Sequence, residues 1–146
     1  MILEDIEKEW ASDSIISPLK LDEESLKIPR LHAKYHKILT EEKIRLIKIQ
    51  EKLQELEYIY EQFYAKTLTI EELQQHNLPT ILDKKYIKQE IPKAVANTKE
   101  VIEYKRKLGI QHVKLELLDS IMKSIMNRNW VIKDAITWRQ FESGVK

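Results

Sequence analysis

An all-α fold built from long heptad-bearing helices and short amphipathic ones is predicted by two features of the sequence. Apolar residues recur in 3,4 alternation over two long stretches. The first is Leu46, Ile49, Leu53, Leu56, Tyr60 and Phe63; the second is Val101, Tyr104, Leu108, Gln111, Leu115, Leu118, Met122 and Ile125. This is the a/d seam of a helix that packs on another helix. The 146 residues also include only two glycines and four prolines, so the tight turns of a many-stranded sheet lack their usual residues. The length suits one domain. Within it we distinguish an acidic segment 1–28, basic and heptad helices 29–66, a connector 67–97 and C-terminal helices 98–146 for assembly.

Taken in order, Ile2, Leu3, Ile6 and Trp10 predict a first helix, interrupted by Ser12, Asp13, Ser17 and Pro18. Asp22 can cap a following turn, with Glu23 and Glu24 at its positive end. Pro29 starts a new helix or kinks a continuous one. Thr40, followed by Glu41 and Glu42, predicts a break near Leu39 before a heptad helix that runs to about Lys66. Thr69 and Glu72 form a capping box for a short helix that Asn77 and Pro79 end. Asp83, Lys84, Lys85, Lys88 and Pro92 read as a basic connector with a turn of helix or a short extended pair.

The second seam predicts a second long helix. Ile110, Val113, Leu117 and Ile121 flank it, giving a broad apolar face buried on more than one side. Gly109 costs this helix about 1 kcal/mol relative to alanine. Asn127, Arg128 and Asn129 predict its end. Trp130, Val131, Ala135, Trp138 and Phe141 then form a final amphipathic helix stopped by Gly144. The two seams can meet in a monomeric hairpin or across subunits. Assembly through Leu115, Leu118, Met122 and Ile125 with Trp130, Trp138 and Phe141 is favoured, because little chain is left to cover those aromatics. A monomeric bundle closed by the last helix is the alternative.

Several chemistries are excluded or not indicated. Without cysteine there is no disulfide, thiolate zinc site or cysteine nucleophile. Two isolated glycines cannot build a P-loop or a dinucleotide fingerprint. His32 and His36 have the spacing of metal ligands on a helix, but Ala33, Lys34 and Tyr35 between them include no carboxylate, so no metal or other cofactor is expected. No serine or threonine stands in a nucleophile context, and an enzyme is not indicated. No apolar run approaches the roughly 20 residues of a membrane span, and the acidic start is unlike a signal peptide. A soluble, intracellular protein without a membrane partner is expected.

The net charge is +1, but its sign alternates along the chain. Residues 1–26 carry two basic and eight acidic side chains, whereas residues 27–52 carry eight basic and three acidic. Lys34, Lys37, Lys43, Arg45, Lys48 and Lys52 can neutralise phosphates, and Tyr58 and Tyr60 can stack on unpaired bases. That combination fits single strands bound without sequence preference. Tyr60 lies on the seam and is equally a core residue.

In its opening Leu3-Glu4-Asp5, then Asp13, Ile16 and Lys20-Leu21, the chain resembles the UvsY recombination mediator proteins of T-even-type bacteriophages. The likeness continues through Leu31, Lys34, Lys43, Lys48 and Ile49 to Tyr64, and returns at Ile132-Lys133, Phe141-Glu142 and Gly144. Residues 68–107 are longer here or diverged. The resemblance implies an all-helical phage protein that forms a ring-like homo-oligomer of six or seven subunits in the cytoplasm of the infected bacterial host. It implies single-stranded DNA as ligand. It also implies two protein partners, a RecA-like phage recombinase and the phage single-strand-binding protein that the recombinase displaces. Basic residues expected just before Tyr64 are replaced by Tyr58 and Tyr60. The reading from another class is a non-enzymatic coiled-coil scaffold binding only protein partners through the acidic N-terminal face.

Overall fold

Local chemistry sets most helix boundaries in the computed structural model, which describes residues 1–81 and 84–144. Among the described residues all regular structure is helical. Helix α1, Leu3–Asp13, carries Glu4 and Asp5 in its first turn, where the helix dipole favours them. It runs past Trp10 and closes where the Ser14 hydroxyl donates to the Ala11 carbonyl at 3.1 Å. Helix α2, Leu21–Leu26, begins one residue before the expected cap. Asp22 therefore lies inside the first turn and caps nothing, because burial of Leu21 sets the start.

Helix α3, Ile28–Tyr64, takes Pro29 in its first turn, where a missing N–H is harmless. The break predicted near Leu39 is absent. Thr40 donates its hydroxyl to the His36 carbonyl at 2.9 Å, the back-bond of a mid-helix threonine rather than a cap. Leu39 and Glu42 beside it are buried, so tertiary contacts carry the helix through a weak local signal.

Helix α4, Ile70–Gln75, starts at Thr69, whose hydroxyl oxygen accepts from the Glu72 N–H at 3.2 Å. Asn77, at φ 55°, follows in the left-handed region that ends helices. Helix α5, Ile91–Ala96, holds Pro92 in its first turn. The described part of the connector contains no extended pair, and Asp83 lies outside the described residues. Helix α6, Lys99–Glu142, runs without the end predicted at Asn127 to Asn129. Buried bonds to Arg128 override the local breaker signal there. Trp130 to Phe141 thus continue α6 rather than form a helix of their own, and Gly144 follows at φ 74°.

The chain forms two compact units, Met1–Ile44 with His112–Lys146, and Arg45–Gln111. Both α3 and α6 contribute to each. In the first unit Ile6, Leu118 and Ile125 are fully buried. In the second, Leu53, Leu56, Val95 and Val101 form the core, with Tyr60, Tyr64, Ile91, Tyr104 and Leu108 packed against it. The flanking stripe of α6 is not the second buried face its pattern predicts. Ile110 and Val113 are exposed, Leu117 is half-buried, and only Ile121 is buried.

Candidate functional site

A helix places side chains three, four and seven apart on one line. In the second unit Arg45, Lys48 and Lys52 have this spacing on α3 and form a cationic row. Arg45 and Lys48 are exposed, and Lys52 is half-buried, 3.7 Å from the Glu55 carboxylate. Tyr58, 63% exposed, lies six residues beyond Lys52, or about 120° around the helix. Its ring can meet a base while the row holds the adjoining backbone.

Tyr60 is placed differently. It packs on the core of the second unit and donates its hydroxyl to Glu100 Oε2 at 2.8 Å. Burial first, and the Glu100 carboxylate second, push its phenol up to about 12. Tyr60 is a packing residue in this arrangement.

The cations of the first unit also differ from one another. Lys37 and Lys43 are exposed and enter no ion pair among the described residues, and their six-residue spacing puts them on different sides of α3. Lys34 is committed within the unit. Its Nζ donates to Glu9 Oε2 at 2.6 Å and also to Asp13. Tyr35, fully buried, donates to the same Asp13 oxygen at 2.8 Å and packs edge-to-face on Trp10.

Burial opposes the Asp13 charge. Hydrogen bonds from Lys34 and Tyr35 and the charges of Lys34 and Arg128 outweigh it and hold the carboxyl below the usual 3.8. A carboxyl depressed in the folded state contributes stability above its unfolded pKa, which is lost as pH falls through the folded value. Between about pH 5 and pH 3 the wild-type chain should therefore lose more stability than Asp13→Asn, which lacks this group. Urea denaturation of both proteins across that range is the check, and parallel losses would exclude Asp13 as the source.

His32 and His36 stack with ring centroids 5.8 Å apart on the exposed side of α3. Among the described residues no group of three or more potential ligands could hold a metal ion. No described helix is long and apolar enough to cross a membrane. Of the assembly candidates, Leu115, Leu118, Met122 and Ile125 are already buried within the chain. Trp130, Trp138 and Phe141 face outward, the last two in edge-to-face contact at 5.8 Å. Sequence reasoning passed over the aromatic pair Tyr64 and Tyr86, for which Lys84-Lys85-Tyr86 was the available signal.

No match to the sequence was found among curated proteins. The fold matches crystal structures of the bacteriophage T4 recombination mediator protein UvsY. One match has 21% identity and a TM-score of 0.83, covering 98% of this chain and 98% of that one. In a second lattice the values are 19% and 0.78, with 97% and 99% covered. In a third they are 18% and 0.76, with 94% and 98% covered. The family model described as "Recombination, repair and ssDNA binding protein UvsY" matches residues 9–145, and by that match the chain belongs to the UvsY family.

Proposed function

We propose that this protein is a recombination mediator. It binds single-stranded DNA without sequence preference and helps a RecA-like phage recombinase replace the phage single-strand-binding protein, in the cytoplasm of the infected host. The observation that carries this reading is the family match over residues 9–145. The row Arg45, Lys48 and Lys52 beside exposed Tyr58 supplies a matching chemistry: cations for phosphates and a ring for an unpaired base. The mediator consumes no cofactor and forms no covalent intermediate.

The subunits assemble as a ring of six or seven. A near-neutral chain holds a long strand through repetition, since each further site on the ring binds at high effective concentration. With the second seam largely buried, Trp130, Trp138 and Phe141 are the side chains of α6 that meet a neighbouring subunit. Trp138→Asp combined with Phe141→Asp should lower the mass in light scattering toward the 17.5 kDa monomer while leaving helicity intact. An unchanged mass would remove this face from the interface.

The function itself is tested by recombinase assembly on a strand already coated with single-strand-binding protein. Adding this protein should shorten the lag before filament growth. A lag that persists, with no binding of the strand, would favour a scaffold that contacts only proteins.

A further inference from the structure

We propose that a cleft in the second unit, between the end of α3 and residues 84–97, is a nucleotide pocket. In it one unpaired base of a single strand lies against Tyr86, and the adjoining phosphate meets Lys84 and Lys93. The proposal deepens the single-strand reading above and rests on it.

The cleft has a volume of about 580 Å³ and is lined by Tyr64, Lys84, Tyr86, Glu90, Lys93 and Asn97 among others. This lies within the roughly 300–1,000 Å³ usual for small-molecule sites. Tyr64 and Tyr86 meet at 5.0 Å with their planes 67° apart. The two rings therefore form an aromatic corner instead of a stack closed on itself. The Tyr64 hydroxyl shares a 2.8 Å hydrogen bond with the Thr98 hydroxyl, which fixes one side of the corner. Lys84 Nζ sits 4.9 Å from the centre of the Tyr86 ring, and Lys93 is exposed on α5. Neither lysine is held by a carboxylate among the described residues.

These features select the ligand. A base needs a flat apolar partner and its backbone needs cations close by, which is how sequence-tolerant single-strand sites are built. A paired base keeps its faces stacked inside the duplex and cannot use the corner. Residues 84–107 carry eight basic and three acidic side chains, so the surrounding field favours an anion. Glu90, the carboxylate on the lining, accepts from the Ile87 N–H at 3.3 Å and is partly occupied there. The amide of Asn97 can donate or accept, which suits contact with any base edge. The cleft also shares a unit with Arg45, Lys48 and Lys52. Tyr64 lies twelve residues beyond Lys52 on α3, about 18 Å along the axis, so one strand can engage both.

The experiment uses the full chain bound to an oligothymidylate carrying 5-iodouracil, photocrosslinked and mapped by mass spectrometry, with anisotropy run in parallel. The expected adduct is on Tyr86 or Tyr64. Tyr86→Ala should bind about tenfold more weakly, whereas Tyr86→Phe keeps the ring and binds as wild type. Replacing Lys84 and Lys93 by alanine should lower the salt slope by about 1.4, at roughly 0.7 per phosphate on a single strand. Wild-type binding with adducts only outside this cleft, or with unchanged affinity in Tyr86→Ala, would overturn the pocket and leave the function standing. No wild-type binding at low salt would overturn both.

Discussion

Arg128→Ala will cost the fold about 3 kcal/mol or more, the lower end of what is found when one partner of a buried ion pair is removed. Arg128 is 4% exposed. Its guanidinium donates to the Asp13 carbonyl at 2.9 Å and the Ile15 carbonyl at 3.0 Å, and pairs with the buried Glu24 carboxylate at 3.4 Å. Truncation strands two carbonyls at the end of α1 and weakens the compensation of a buried charge on α2. Lys27, 3.0 Å from Glu24 Oε1, remains and limits the loss. Its hydrogen bond is the main cause that holds the Glu24 carboxyl below its usual value, against the effect of burial. Arg128→Met restores much of the volume without the hydrogen bonds and should stay nearly as unstable. Urea denaturation of both variants is the check. A loss below about 1 kcal/mol in either would show that the polar contacts add little beyond packing.

Replacing Arg45, Lys48 and Lys52 together by alanine will weaken single-strand binding in a salt-dependent way. Three phosphate contacts at about 0.7 each lower the slope of log K against log salt by about 2. Over a fourfold range of salt this amounts to roughly a twentyfold change in how affinity responds. The fold should tolerate the change, since the Lys52 to Glu55 contact is a surface pair worth about 0–1 kcal/mol. Tyr58→Ala should act differently. It removes about 1–3 kcal/mol of stacking and leaves the slope as it was. A triple variant with the wild-type slope would place the phosphate contacts elsewhere on the chain.

The parts of this fold legible in the sequence are those written in local periodicity and capping. The two seams, the Thr69 box, the Pro29 start and the Asn77 stop each depend on residues within one or two turns. Continuity of α3 and α6 was not legible for the opposite reason. Thr40 and the Asn127 to Asn129 run are weak breakers locally, and partners distant in sequence decide against them. Arg128 reaches residues 115 and 113 positions away.

The candidate site divides in the same way. The spacing of Arg45, Lys48 and Lys52 is visible in one dimension, and so is the off-seam position of Tyr58. The commitment of Lys34 to Glu9 and Asp13 is not, because charge counting cannot pair a cation with carboxylates more than twenty residues earlier. The Tyr64 and Tyr86 corner likewise forms only when residues 22 positions apart are brought together.

The most direct measurement is fluorescence anisotropy of a labelled single strand titrated with the full chain over a series of salt concentrations. The account predicts saturable binding of unrelated sequences with similar affinity, falling steeply as salt rises, and much weaker binding of the matching duplex. Absence of binding at low salt, or binding indifferent to salt, would contradict it.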